Sequence, residues 1–213
     1  MDIPQLLRHV DHTILSPCAT WEQVKTACDQ ALAHNTATVC IPPRYVKRAA
    51  DYVGSRLKLC TVVGFPNGYS TPEVKVFETE DAIRNGADEI DMVVNLGLVK
   101  DGDWEGVVSE IKAVKASCKG RILKVIVEAC LLTREEKINM CRVVSMSGAD
   151  FLKTSTGFST GGATLTDAAL FRQQLAPGVR LKAAGGIKTL EQAQSFLDAG
   201  ADRIGASGLL DCL

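Results

Sequence analysis

The sequence has little in it that would bind a metal, cross a membrane or staple a small fold. Its three histidines, at positions 9, 12 and 34, all fall in the first sixth of the 213-residue chain. His9 and His12 share an i, i+3 spacing but lack a carboxylate-rich partner motif, so no metal site is expected. None of the eight cysteines forms a CxxC pair. Several, such as Cys40, Cys60 and Cys130, end apolar runs, as buried free thiols do. A chain of this length needs no disulfide staples, so reduced cysteines and a cytoplasmic location are expected. The opening stretch "MDIPQLLRHVDHTILSP" has no basic segment leading into an apolar one. No run approaches the roughly 18 apolar residues of a membrane span, so neither a signal peptide nor a membrane partner is expected. A net charge of −1 gives no global field toward nucleic acid or anionic lipid. Any anion must therefore be held locally. There is no Walker loop, no dinucleotide fingerprint after the first strand and no Gly/Ser/Pro-rich linker, so one domain over residues 1–213 and no cofactor are expected.

What is present is an alternation. Apolar residues make up 46% and charged residues 23%, the balance of an ordinary globular chain. Short β-branched runs occur at 37–41, 59–63, 89–94, 122–128, 150–154, 179–183 and 202–206, and "HTIL" at 12–15 adds a first one. Helix-like stretches with i, i+3, i+4 apolar spacing lie between them. In 71–87, Thr71 stands at the cap position, Pro72 at the first helical position and Gly86 at the end. The stretch 189–201 follows the same grammar. The tripeptide Gly-Ala-Asp recurs at 86–88, 148–150 and 200–202, reading as a helix end leading into a strand. Eight strands alternating with helices predict an α/β fold, a single (β/α)8 barrel of the TIM type, with a doubly wound open sheet as the alternative. A short terminal helix is expected near Ser207.

In such barrels the reactive groups sit at the C-terminal strand ends. Lys153 in "FLKTSTGF" ends the sixth run and Lys182 in "RLKAAGGI" ends the seventh, at similar height on neighbouring strands. Each is followed by a glycine-bearing loop. Either can simply snorkel to the rim. Together they suggest paired amines, which depress each other's pKa and leave one neutral and nucleophilic. A neutral lysine forms an imine with a carbonyl, an electron sink for breaking the neighbouring carbon–carbon bond. The pattern does not say which lysine attacks.

Asp91 in "EIDMVV" shares a strand face with Glu89 and Val93. If that face is interior, Asp91 is a lumen carboxylate in need of a cation, as part of the chemistry or as a structural ion pair. Asp11 and Thr13 extend the polar cluster from the first strand. Cys40 reads equally as a core thiol or a site-lining one. Gly185, Gly186, Gly205 and Ser207 occupy the loops after the seventh and eighth strands, a frequent phosphate site of this fold. The Gly- and Thr-rich stretch 156–164 suggests a loop that covers a ligand. These residues alone leave open another phosphosugar barrel enzyme and a non-catalytic phosphate-ligand sensor.

Six blocks, "VDHTIL", "TVVGFPNG", "EIDMVVN", "KTSTGF", "KAAGGI" and "RIGAS", occur in this order over nearly the whole chain. Through them the sequence resembles the deoxyribose-phosphate aldolases. The resemblance implies a class I aldolase that reversibly cleaves 2-deoxy-D-ribose 5-phosphate to D-glyceraldehyde 3-phosphate and acetaldehyde. It implies the Schiff base at Lys153, a tuning amine at Lys182 and a water-mediated proton relay at Asp91. It maps phosphate contacts to Gly185, Gly186 and Ser207, with Thr156 and Gly157 lining the site, and implies a homodimer or homotetramer. Three positions depart from the family pattern. Phe158 stands where some members carry lysine, and Gly208 follows Ser207 where many carry a second serine. No tyrosine follows Tyr69, whereas some members use a C-terminal tyrosine in proton transfer.

Overall fold

A computed structural model describes residues 1–213 apart from the side chain of Cys212. Eight parallel strands close into a barrel in chain order. They are β1 (Val10–Thr13), β2 (Thr38–Ile41), β3 (Leu59–Val63), β4 (Glu89–Val93), β5 (Ile122–Ile126), β6 (Phe151–Lys153), β7 (Arg180–Ala184) and β8 (Arg203–Ala206). The pairing of β1 with β8 excludes the open sheet. A short α1 (Ile3–Leu7) precedes β1. The outer ring is α2 (Trp21–His34), α3 (Val46–Val53), α4 (Pro72–Arg84), α5 (Leu96–Asp101), α6 (Trp104–Ser117), α7 (Arg134–Ser147), α8 (Leu165–Gln174) and α9 (Leu190–Asp198).

The alternation of each strand divides the molecule into two interiors. Ile90, Met92 and Val94 join the large apolar core between strands and helices, while Glu89 and Asp91 turn into the lumen. Cap chemistry sets the helix starts. Thr189 and Gln192 form a reciprocal capping box at α9. Thr71 occupies the cap position of α4, but its hydroxyl makes no capping bond. The first strand begins two residues earlier than "HTIL" suggests, because Val10 pairs with Ile204 of β8. In place of the expected helix near Ser207 there is a single 3-10 turn, Leu210–Cys212.

The Gly-Ala-Asp repeat pins the N-terminal edge of the barrel. Gly86, Gly148 and Gly200 take positive φ at the turn out of a helix. The aspartates Asp88, Asp150 and Asp202 then accept hydrogen bonds from the backbone N–H of Leu59, Leu123 and Leu181 at 2.9, 2.7 and 2.8 Å. The backbone N–H of each aspartate returns a bond to the carbonyl of the same leucine. Each repeat thus clamps the start of the strand it leads into to the start of the preceding strand, which holds β4 to β3, β6 to β5 and β8 to β7 in register.

Candidate active site

The lumen is ionic. Lys124, Lys153 and Lys182 face Asp11, Glu89 and Asp91, and Arg203 reaches in from β8. Asp91 lies at the centre. Its Oδ2 accepts from Lys153 Nζ at 2.9 Å and from Lys182 Nζ at 2.7 Å, and its Oδ1 accepts from Lys124 Nζ at 2.8 Å. Strand register explains the meeting, since Asp91 pairs with Lys124 across β4 and β5, and Lys153 with Lys182 across β6 and β7. Asp11 holds Lys182 at 2.5 Å, Arg203 at 2.6 Å and the Thr38 hydroxyl at 2.8 Å. Glu89 bridges Lys124 at 2.6 Å and Arg203 at 3.3 Å.

Ions buried this deeply persist only when paired, because desolvation costs several kcal/mol for each of them. Four cations face three carboxylates here, which leaves one positive charge in excess. Burial by itself would pull the Lys182 ammonium down, yet the Asp11 and Asp91 carboxylates outweigh it and hold Lys182 well above the usual lysine range. Lys124 is raised for the same reason, with Asp91 its strongest partner. Asp91 in turn, against the upward push of burial, is held well below the ordinary carboxylate range by Lys124, Lys153 and Lys182. Mutual depression of the two strand-end lysines is therefore corrected for Lys182. The interleaved carboxylates reverse the sign that two bare amines would give.

Above this network a cavity of about 430 Å3 opens at the C-terminal end of the barrel. Thr13, Lys153, Thr156, Gly157, Gly185, Gly186 and Ser207 line it, so the structure gathers these seven expected residues on one surface. Asp11, Asp91 and Lys182 do not line it and lie buried in the charged network beneath it. Cys40 is also set apart, packed against Cys60 and Val62 beneath Leu15 and Phe65. Asp11, expected to extend the polar cluster of the site, and Cys40, open to a core or a site-lining role, thus both lie behind the cavity wall. The ring of Phe158 stands at the rim, edge-on to Phe65 at 5.3 Å.

Two loops build the far side of the cavity. Glu128, in the left-handed region at φ 50°, accepts from the Thr156 amide at 3.2 Å and from the Thr156 hydroxyl. It tethers the β6 loop to the end of β5. The amide of Ala163 donates to the Gly185 carbonyl at 3.0 Å, joining the β6 and β7 loops. Gly185 and Gly186, at φ 89° and 80°, turn the β7 loop with their backbone toward the cavity.

Lys124, Arg203, Glu128 and Lys188 belong to the site or its support and do not stand out in the sequence. Parity along "ILKVI" places Lys124 on a fixed face, but a mid-strand lysine announces no partner until the register across to Asp91 is known. Cys40, Cys60 and Asp91 lie close enough together to share a metal ion, as do Asp11, Cys60 and Glu89. The Lys124 ammonium already sits 3.3 Å from Cys60 Sγ and 2.8 Å from Asp91, which places a positive charge where either ion would be bound.

The comparisons with known proteins agree with this geometry. Residues 6–212 match the DeoC/LacD family of aldolases. A deoxyribose-phosphate aldolase of Streptococcus pyogenes serotype M4 is 56% identical over 210 residues, covering 99% of this chain and 94% of the relative. One from Streptococcus agalactiae serotype Ia is 55% identical over the same span, with the same coverage. The tetrameric deoxyribose phosphate aldolase of Aeropyrum pernix superposes with a TM-score of 0.92 at 32% identity, covering 99% of this chain and 91% of that one. With the full barrel and its lysine-centred cavity included in these matches, the chain belongs to the deoxyribose-phosphate aldolases of the DeoC/LacD family.

Proposed function

We propose that this enzyme reversibly cleaves 2-deoxy-D-ribose 5-phosphate to D-glyceraldehyde 3-phosphate and acetaldehyde through a Schiff base on Lys153. One observation carries the reading. Of the seven ionic lumen residues, Lys153 alone among the described residues lines the open cavity. Lys182 is locked below it by two carboxylates.

The charge balance supports the division of labour. The network carries one cation more than it has carboxylates, and Lys153 has a single carboxylate contact, an oxygen it shares with Lys182. Releasing one proton from Lys153 brings the cluster to balance without breaking the Asp11–Lys182 pair. The freed amine attacks C1 of the open-chain sugar. Loss of water from the carbinolamine then gives the iminium ion. Removal of the C3 hydroxyl proton breaks the C2–C3 bond, with its electron pair passing into the iminium to form an enamine. D-glyceraldehyde 3-phosphate leaves, C2 of the enamine is protonated, and hydrolysis releases acetaldehyde and restores Lys153. Asp91, through water, is the group placed to move these protons, and Lys182 keeps a fixed positive charge beside them.

Gly185, Gly186, Ser207 and Lys188 line the part of the cavity suited to the phosphate, and binding there orients the reacting bond. An assembly of two or four chains and a cytoplasmic location complete the proposal. Among the described residues no helix is long and apolar enough to cross a membrane. The test is borohydride reduction in the presence of 2-deoxyribose 5-phosphate, followed by peptide mass mapping. A reduced adduct on Lys153 is expected. An unmodified chain at saturating substrate would overturn the imine mechanism.

A further inference from the structure

A second cavity, about 460 Å3, opens at the other end of the barrel, among the residues that begin the strands. Glu89 and Arg203 are the first residues of β4 and β8, and Arg56 and Lys58 immediately precede β3. Its volume falls within the range of small-molecule sites, roughly 300–1,000 Å3.

The charge around this cavity is one-sided. Arg56, Lys58 and Arg203 supply three positive groups, and Glu89 is the single carboxylate among the described lining residues. Glu89 is already committed to Lys124 and Arg203. Arg56 donates to two backbone carbonyls, those of Val53 and Tyr52, and the one carboxylate its charge acts on, Asp29, lies outside the cavity lining. Lys58 stands exposed at the rim.

Arg203 is the group that gives the cavity its chemistry. Its Nη1 makes both carboxylate contacts, to Asp11 and Glu89, and its guanidinium plane lies 5.5 Å from the Phe151 ring centre. Among the described residues His12 Nδ1 is the one buried side-chain polar atom without a partner. The remaining Arg203 donors therefore reach open space, and the open space beside Arg203 is this cavity. A mostly buried guanidinium with donors to spare, joined by a second guanidinium and an ammonium, matches an anion with several oxygens and more than one charge. The hydroxyl of Ser55 lies on the same wall.

We propose that this lower cavity is a phosphate-binding site, taking inorganic phosphate or a small phosphate monoester, separate from the catalytic mouth. Its occupant would share Arg203 with Asp11, the carboxylate that holds Lys182.

Isothermal titration of the whole enzyme with inorganic phosphate, and in a second arm with glycerol phosphate, tests the site. Phosphate binding alone identifies the free ion as the ligand, and tighter binding of glycerol phosphate identifies a monoester. R56Q/K58Q alters two side chains remote from Lys153 and should retain basal turnover, which also reports that it folds. It is expected to lose one bound anion per chain, or to bind it at least about tenfold more weakly, the scale of a lost charge-assisted hydrogen bond. The charge-reversing K58E should lower the affinity likewise. Isotherms that are the same for the wild type and both variants would overturn the proposal.

Discussion

Lys153 and Lys182 meet on one oxygen, Oδ2 of Asp91, at 2.9 and 2.7 Å. Their surroundings then diverge. Lys182 has a second carboxylate, Asp11, at 2.5 Å, whereas Lys153 faces the open cavity. Two residues that look interchangeable in the sequence are distinguished by which of them the second carboxylate reaches.

This divergence makes the two leucine variants unequal. Lys153→Leu removes the excess cation, leaving three cations against three carboxylates, so the fold should hold while turnover drops at least about 10⁴-fold. Lys182→Leu leaves Asp11 and Asp91 short of a partner but spares Lys153, the nucleophile of the proposed mechanism. Its turnover should fall about 10²–10³-fold, with residual borohydride-trapped adduct on Lys153. Steady-state kinetics with mass mapping of both variants decides the roles. Equal residual rates would contradict the assignment.

Asp91→Asn strikes the centre of the network. It removes the carboxylate shared by Lys124, Lys153 and Lys182 and keeps the shape of the side chain. Breaking one partner of a buried ion cluster costs about 3–5 kcal/mol, so the urea midpoint should drop sharply as activity is lost. An unchanged midpoint would mean that the lumen charges contribute little to stability.

The same network sets a stability plateau in pH. Asp11 and Asp91 are held below the usual carboxylate value of 3.8, by Lys182 first for Asp11 and by Lys124 first for Asp91, both against the opposing effect of burial. As pH falls below 3.8, the unfolded chain takes up protons that the folded chain still refuses, so this contribution is complete above 3.8 and drains away below it. Lys182 and Lys124 are held above the usual 10.5, so their contribution is complete below 10.5 and is lost as the pH rises beyond it. Urea melts across this range should show a plateau that falls at both ends, with a shallower acid limb in Asp91→Asn. Stability that rises below pH 3.8 would refute the sign.

The fold was legible because its signals are local. Period-two runs, threonine caps and the Gly-Ala-Asp turns each declare themselves within a few residues, and the strands lie within two residues of where they were read. The lysine pair and Asp91 were legible too, since polar residues ending or interrupting apolar runs call for explanation. What stayed hidden depends on register and closure. Arg203 opens β8 and meets Asp11 of β1 because the sheet closes, a relationship 192 residues apart in the chain. Asp11 belongs to the polar cluster that its strand position implies, but its partners are Lys182 and Arg203 in the lumen, away from the cavity surface. Thr71 shows the limit of local grammar in the other direction, having the right residue and backbone for a cap without the bond.

Gly162 lies in the Gly- and Thr-rich stretch 156–164 and has a particular task there. A Cβ on Gly162 would lie 2.2 Å from the Gly185 carbonyl oxygen, a backbone atom that cannot yield by rotating a side chain. The neighbouring amide of Ala163 makes the bond that joins the two loops, so the contact cannot open without breaking it. Gly162→Ala should therefore push the β6 loop away from Gly185 and Gly186, leaving Lys153 and its carboxylate network in place. Because those glycines line the cavity and Lys153 does not move, the expected signature is a KM for the phosphorylated substrate raised about tenfold or more, with kcat reduced much less. Borohydride trapping on Lys153 at saturating substrate should remain near the wild-type level. A variant with unchanged KM and a collapsed kcat would show that the loop contact serves the chemical step, not the binding of the distal end of the substrate.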